Sequence, residues 1–408
     1  MSVSITLVRH GRSEANEANL WQGQGDAALS PAGRQQAEAL GRRLGGRSFD
    51  LVVSSDLERA HATARAVDPT AETDPAWREM DLGSWEGRSF EEVAARHPDL
   101  LGAIRNGEAV AFGETGETIS DFEQRAWAAL DLLAGRLEDG ASAMVATHGG
   151  IIDAILGRYL GRVQGKRTYP IVTNTSLTVL QGEPGALRLK SFNDATHLGI
   201  DVGFLGRMRE DGIPVVAFVR HGVTAANKEG RIQGQSCWGL DREGLMQAKR
   251  LAKWYPRPDR VVSSPLQRAL ETAISFGRPI EEAPEVMEMA FGEWEGTTSA
   301  SLAGDDAAVR IYRHGEDLPR GGHGETFMQV VERMGSFLGA MAVEPDQRTV
   351  VVSHGAAIRA LVAAVHERGN DINDNLAVPD NTSVTHVVLS PDGPVLADYA
   401  LSPHLEVI

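Results

Sequence analysis

The sequence predicts an α/β protein of two tandem, equivalent domains, and three observations carry that expectation. An apolar run, Val3 to Val8, stops at Arg9-His10-Gly11, and a second, Val215 to Val219, stops at Arg220-His221-Gly222. A short apolar run ending at a glycine reads as a buried strand of an α/β sheet, and such sheets place ligands at the carboxyl ends of their strands. The chain has 408 residues, too many for one ordinary core and suited to two. Finally, the blocks that follow each motif recur in the same order. His10 to Arg59 is 49 residues and His221 to Arg268 is 47; Arg59 to Glu79 and Arg268 to Glu288 are both 20. Glu79 to His148 is 69 against 66 for Glu288 to His354. This is a tandem duplication. The expected domains are 1–206 and 214–408, joined by a polar linker near Gly206 to Gly212 that ends at Pro214.

The elements follow in order. Ser30 is a good N-cap and Pro31 a good first helical residue; Gly45-Gly46 closes that helix. Leu51-Val52-Val53 is a strand, and Ser54-Ser55-Asp56 leads into a helix with Arg59, Ala60, Thr63 and Ala64. An irregular segment runs from Trp77 to Gly87. Residues 88–117 read as loop-rich, with one short helical pattern near Phe90 to Arg96. Thr118, with Asp121 as its capping partner, starts a long helix with Ile119, Phe122, Ala126, Leu130, Leu133 and Leu137 on one face. Ala143 to Thr147 is a strand ending in His148-Gly149-Gly150, followed by a helix. Strands near Leu177–Leu180 and Leu187–Leu189 close the unit. The second half repeats the capped helix as Thr326 with Gln329, Phe327, Val330, Met334, Leu338 and Met341.

Composition narrows the partners. With 42% apolar and 24% charged residues and no run of spanning length, the chain reads as a globular protein without a membrane segment. No secretory signal is visible at the start, and the single Cys237 suits a cytoplasmic location. A net charge of −16 argues against a nucleic-acid surface, so an anionic ligand must be met by local Arg and His clusters. Gly161-Arg162-Val163-Gln164-Gly165-Lys166-Arg167 is one residue short of a phosphate-binding loop and follows a helical stretch rather than a strand. Oligomeric state is left open.

In each half the polar residues singled out are Arg, His, Arg, Glu and His, a set that suits phosphoryl transfer. A neutral imidazole can attack phosphorus and split one hard step into two. Guanidiniums hold the non-bridging oxygens. A carboxylic acid protonates the leaving alkoxide and then, as carboxylate, takes a proton from water.

These blocks resemble the histidine phosphatase superfamily, in its phosphoglycerate mutase-like branch. The matching motifs are Arg9-His10-Gly11 with Asn16, Ser54-Ser55 through Arg59-Ala60 to Thr63-Ala64, Glu79 through Gly87, Gly116-Glu117-Thr118 and Thr147-His148-Gly149. The second half matches in Arg220-His221-Gly222 with Asn227, Ser263-Ser264 through Arg268-Ala269 to Thr272-Ala273, Glu288 through Gly296, Gly324-Glu325-Thr326 and Ser353-His354-Gly355. The resemblance implies two three-layer α/β/α sandwiches. It implies that His10 and His221 are phosphorylated nucleophiles and Glu79 and Glu288 proton donors. Arg9, Arg59 and His148, with Arg220, Arg268 and His354, would form the phosphate pockets, with Asn16 and Asn227 as second-rank members. It implies no metal and no cofactor. The substrate would be a small phosphomonoester, hydrolysed in both domains; alternatives are a mutase using the same pocket, or one domain that only binds.

Other residues read as structural. Arg313-His314-Gly315 repeats the motif without a preceding strand or partner blocks, and reads as loop. His197 and His404, at equivalent C-terminal places, read as structural, and Trp85 and Trp294 as packing anchors. Asp81 faces Ala290 at its counterpart, so a shared mechanism cannot need it. Cys237 has no counterpart and reads as inert. The segments between the acid block and the long helix differ: Arg96 to Phe112 carries few cations, whereas Arg310, Arg313, His314, Arg320 and His323 crowd the second, and Arg12 faces Val223. A cationic cover would favour a second anionic group on the substrate. The alternative is that these arginines pair with acidic surface.

Overall fold

Each apolar run that ends in Arg-His-Gly is a central strand of its own sheet. The structure is a computed structural model, and it describes residues 2–105, 108–163 and 165–406. The chain divides into two units, Met1–Gly165 with Ile171–Gly203, and Lys166–Pro170 with Phe204–Ile408. The first sheet contains β1 (Val3–Arg9), β2 (Leu51–Ser54), β3 (Glu72–Thr73), β4 (Ser142–Thr147), β5 (Leu177–Glu183) and β6 (Ala186–Asp194), in the order β3-β2-β4-β1-β5-β6. The second contains β7 (Val215–Arg220), β8 (Arg260–Ser263), β9 (Ile280–Glu282), β10 (Thr349–Ser353), β11 (Val384–Ser390) and β12 (Gly393–Leu396), in the order β12-β11-β7-β10-β8-β9. The topology repeats. In each sheet four strands are parallel, a fifth pairs antiparallel with them, and the last pairs antiparallel with the fifth.

The parallel strands are covered on both faces, which is why they read as continuous apolar runs rather than alternating ones. On one face of the first sheet, Val8, Val52, Met144, Ala146 and Leu177 bury against Leu40 and Leu44 of the helix Pro31–Leu44 and Ala64 of the helix Glu58–Arg65. Ile5 and Leu7, of opposite parity on β1, are fully buried too. The helix Gly149–Leu160 touches β1 and packs along the long helix Ile119–Arg136. Both architectures are the α/β/α arrangement the motifs imply. Among the described residues no helix is long and apolar enough to cross a membrane.

Three local readings need correction. The stretch read as linker is mostly the helix Gly203–Glu210, because Phe204, Leu205 and Met208 form an apolar edge that packs on Val215, Val388 and Ala397. The stretch 88–117 holds a second helix, Pro98–Arg105, whose Leu101 packs with Trp85 and Val93. Arg313-His314-Gly315 is not loop: it is the last turn of the helix Asp306–His314, closed by Gly315 at φ 69. Asn106 and Gly107 of the first cover stretch and Gln164 of the Gly161–Arg167 stretch lie outside the described residues, as does the side chain of Arg105.

Candidate active site

Strands β1 and β4 pair to their last residues, Arg9 opposite Thr147. The chain therefore leaves both at one sheet edge, and the rings of His10 and His148 stand 5.2 Å apart. In the second unit β7 and β10 pair as far as Arg220 and Ser353, and His221 and His354 stand 5.1 Å apart. The nucleophile candidate is tied at its backbone. His10 donates its amide to the Thr147 carbonyl at 2.8 Å, and Asn174 Nδ2 donates to the His10 carbonyl at 2.9 Å. Asn381 does the same for His221. The glycine of each motif has a packing reason. A Cβ on Gly11 would lie 2.5 Å from the Gly33 carbonyl oxygen, and one on Gly222 would lie 2.7 Å from that of Gly244.

The imidazoles are set up as neutral bases. Nδ1 of His10 and of His221 each lies 2.7 Å from the following glycine carbonyl, which can only accept, so Nδ1 carries the proton. Nε2 keeps its lone pair. In the second unit Arg268 Nε donates to His221 Nε2 at 3.2 Å, consistent with that tautomer. Burial, then the neighbouring Arg59 and Arg9, holds the His10 pKa well below the ordinary histidine value. Burial with Arg268 and Arg220 does the same to His221. His148 and His354 are depressed likewise, again by burial first.

Arg59 and Arg268 rise from the helices Glu58–Arg65 and Gln267–Ile274 and are almost completely buried. Arg59 donates to the Gly25 and Gly23 carbonyls, both at 2.7 Å, while the Glu86 carboxylate accepts from the amides of Gly23 and Gly25. One loop is thus held from both sides, by a guanidinium and a carboxylate. Arg268, Gly234, Ser236 and Glu295 repeat the clamp. Burial pushes both arginines down to about 10, which leaves them charged at neutral pH. Arg9 and Arg220 point their Nη1 at the Val172 and Pro379 carbonyls.

Glu79 hangs between two short 3₁₀ turns and reaches the first turn of the helix Gly149–Leu160. Its Oε2 accepts from the Gly150 amide at 3.0 Å and its Oε1 from the Met80 amide at 3.1 Å. Burial raises its pKa, against the opposing pull of those amides and of Arg59 and Arg9. Glu288 accepts through Oε1 from Met289, Ala356 and Ala357 at 2.9, 3.2 and 3.1 Å.

Each pocket contains buried polar atoms with no partner among the described residues: Arg59 Nε and both nitrogens of His148 in the first unit, Arg220 Nε and His354 Nδ1 in the second. Buried donors left unpaired are rare in folded proteins, and a cluster of them at a helix N-terminus suits an anion. His148 and His354 are themselves the N-caps of the helices Gly149–Leu160 and Gly355–Val365. Among the described residues no group of three or more His, Cys, Asp or Glu is placed to hold a metal ion.

The structure brings together Arg9, His10, Arg59, Glu79 and His148, and likewise Arg220, His221, Arg268, Glu288 and His354. Asn16 and Asn227 stand one step back, each closing a capping box through Oδ1 on Ser13 or Thr224. The Asp81 carboxylate accepts from the Gly83 amide in a turn. Trp85 and Trp294 are buried under their loops. His197 and His404 bond Thr175 and Thr382 at 2.9 Å, outside the cluster, and Cys237 is exposed. The sequence reading missed Glu86 and Glu295, and also Arg125 and Arg333. Arg125 grips Glu117 in a bidentate pair and donates to the Ala76, Arg78 and Glu79 carbonyls, holding the Glu79 loop in place. Their signal was present: a glutamate and an arginine recur at matching offsets in both halves.

A "Probable phosphoglycerate mutase GpmB" from Yersinia pestis is 30% identical over 163 residues, covering 39% of this chain and 75% of that protein. Two solved structures are similar over one unit's length. A phosphoserine phosphatase variant from Entamoeba histolytica, in complex with phosphoserine, is 26% identical, covering 47% of this chain and 99% of that one, with a TM-score of 0.44. A mycobacterial glucosyl-3-phosphoglycerate phosphatase is 31% identical, covering 43% and 92%, with a TM-score of 0.39. The family model for the "Histidine phosphatase superfamily (branch 1)" matches twice, over residues 5–195 and 216–402, so the chain belongs to that superfamily in both of its halves.

Proposed function

We propose that each unit hydrolyses small phosphomonoesters through a phosphohistidine. The observation that carries this is the tautomer of the nucleophile: Nδ1–H is committed to the Gly11 or Gly222 carbonyl, and Nε2 faces the arginine and histidine cluster. Nε2 attacks phosphorus as the P–O bond to the leaving group breaks. The two arginines and the second histidine meet the charge on the non-bridging oxygens. Glu79 or Glu288 gives its proton to the departing alkoxide. As carboxylate it then takes a proton from the water that attacks the phosphohistidine, releasing inorganic phosphate and restoring neutral imidazole and protonated glutamate. No step calls on a metal, because guanidinium and helix N-terminus supply the positive charge. The named relatives support both phosphatase and mutase readings. The exposed free Cys237 suits a reducing, cytoplasmic compartment.

Labelling from a phosphorylated substrate tests the core of this. Acid-labile, base-stable phosphate should appear in the wild type, in His10→Ala and in His221→Ala, and vanish in the double variant. Loss of all label in one single variant would mean that one unit is silent. Transfer of the label to an alcohol in place of water would favour the mutase reading.

A further inference from the structure

The two units share their phosphate machinery, but the walls beside it differ in charge. Backbone landmarks align them residue by residue. Gly113 and Gly321 share φ 52, so Phe112 of the first unit corresponds to Arg320 of the second. Counting five residues from the N-cap histidines His148 and His354 pairs Asp153 with Arg359. Asn193 and Ala400, at φ 57 and 56, pair Phe192 with Tyr399. Where the first unit has Phe, Asp and Phe, the second has Arg, Arg and Tyr.

Arg320 is 1% exposed, as buried as Arg268 in the phosphate pocket. Its guanidinium donates from Nη1 to the Leu318 carbonyl, and its ion-pair partner Asp317 lies 3.8 Å away, beyond hydrogen-bond reach. Both oxygens of Asp317 are already taken by the amides of Phe327 and Met328 at a helix start. Arg359 donates to the Asn373 carbonyl. It lies within electrostatic reach of Arg220 and Tyr399 on one side and of Arg320 and Tyr312 on the other. Arg359, five residues on from the N-cap His354 on the helix Gly355–Val365, thus acts both on Arg220 of the His221 pocket and on Arg320. Asp380, Asp374 and Asp317 border these arginines. In the first unit Asp153 pairs with Arg162 at 2.9 Å, and Phe112 packs on Trp85 with centroids 5.6 Å apart. The other cations of the second cover are exposed; Arg310 bonds Glu316 in a surface pair. The crowding visible in the sequence is therefore mostly surface, and Arg359, remote in sequence, is the second buried-side cation beside Arg320.

We propose that Arg359 and Arg320 form a second anion subsite beside the His221 pocket, so that the second unit selects phosphomonoesters bearing another carboxylate or phosphate. The first unit, walled by Phe112 and Asp153, selects substrates with an uncharged body. This rests on the phosphate-binding reading of the His221 pocket. A charged guanidinium meeting a carboxylate gives a strong, orienting bond, and here it forms out of bulk water.

The test is calorimetric binding to an Arg59→Ala/His221→Ala chain, in which the first pocket is impaired and the second cannot turn over. The probes are alkyl phosphates of two to four carbons, ω-carboxyalkyl phosphates and α,ω-bisphosphates of equal length. The parent should bind a carboxylate or bisphosphate probe at least about tenfold tighter than its alkyl match. Adding Arg320→Phe, Arg320→Gln or Arg359→Asp should bring that ratio near unity, and Arg310→Gln should leave it intact. Equal binding of all probes in the parent, or a preference that survives the Arg320 and Arg359 changes, overturns the subsite. A retained preference in a chain whose His10→Ala form turns over nothing would instead sink the hydrolytic reading and leave the subsite standing.

Discussion

Gly150 fixes where Glu79, the proposed acid of the first unit, can stand, and Gly150→Ala tests that dependence. A Cβ on residue 150 would lie 2.2 Å from Oε1 of Glu79, whereas real Cβ carbons essentially never approach another atom within 3.0 Å. The carboxyl must retreat by about 0.8 Å, the difference between those distances, and with it goes the 3.0 Å bond from the Gly150 amide. Misplacing a catalytic group by about 1 Å costs on the order of 10²-fold in rate. In a His221→Ala background, kcat for an alkyl phosphate is therefore expected to fall about 10²-fold. A nitrophenyl phosphate, whose leaving group needs little protonation, should lose much less. Alanine favours a helix over glycine by about 1 kcal/mol, so the loss should come without a lower Tm. Ala356 holds the same place in the second unit, where Glu288 shifts its Oε1 to span the Ala356 and Ala357 amides. Ala356→Gly should thus have little effect in a His10→Ala background. Full alkyl phosphatase activity in Gly150→Ala, or equal losses for the two esters, would refute the placement of the acid.

Glu79→Gln and Glu288→Gln should each lower their own unit's kcat for alkyl phosphates by about 10²–10⁴-fold, with smaller losses for nitrophenyl esters; a uniform loss would assign the glutamates another role. Turnover should be unaffected by chelator, and recovery only on adding a divalent ion would contradict the arginine-based pocket. Stability should fall in acid. The fully buried His366, depressed to about 3 by burial and then Arg368, has no partner on either ring nitrogen. Its folded pKa lies below its unfolded one, so its contribution is present above about pH 6.5 and is lost as pH falls toward 3. His366→Leu should flatten the decline of stability over that window by up to about 1.4 kcal/mol per pH unit, measured by denaturant melts from pH 7 to 4; an unchanged slope would exclude it.

The candidate site residues were legible because they recur at fixed places on a rigid sheet edge. Arg9-His10-Gly11 ends one strand and His148 follows its parallel neighbour, so two distant motifs become one site by pairing alone. What the sequence concealed were contacts made by ordinary-looking residues. Glu86 reads as one surface glutamate among many, yet it accepts two backbone amides and braces the loop that Arg59 holds from the other side. Arg359 sits inside an apolar helix, and only the fold brings it near Arg220. Gly206–Gly212 reads as linker because Arg207, Arg209, Glu210 and Asp211 surround a lone Met208, while Phe204 and Leu205, which help dock the helix Gly203–Glu210, lie just outside that stretch.

The histidines that the sequence left as structural have a physical role in both units. The turn before the first closing strand of each unit places Thr175 and Thr382 at φ 59 and 61, a region that β-branched residues avoid. Such a residue costs on the order of 1–3 kcal/mol and persists only when its surroundings over-determine it. Here they do. The amides of Thr175 and Thr382 donate to the carbonyls of Arg9 and Arg220 at 2.9 Å, and their hydroxyls are held by His197 and His404. Asn174 and Asn381, one residue earlier, bind the carbonyls of the nucleophile candidates. The strained turn thus fixes the backbone on both sides of the Arg-His junction. It recurs unchanged in two units whose covers have diverged to the point of exchanging Phe112 for Arg320 and Asp153 for Arg359. Side chains beside the pocket can vary one at a time, because each answers only to the part of a substrate it meets. The turn cannot, because it ties the backbone carbonyls on both sides of the Arg-His junction.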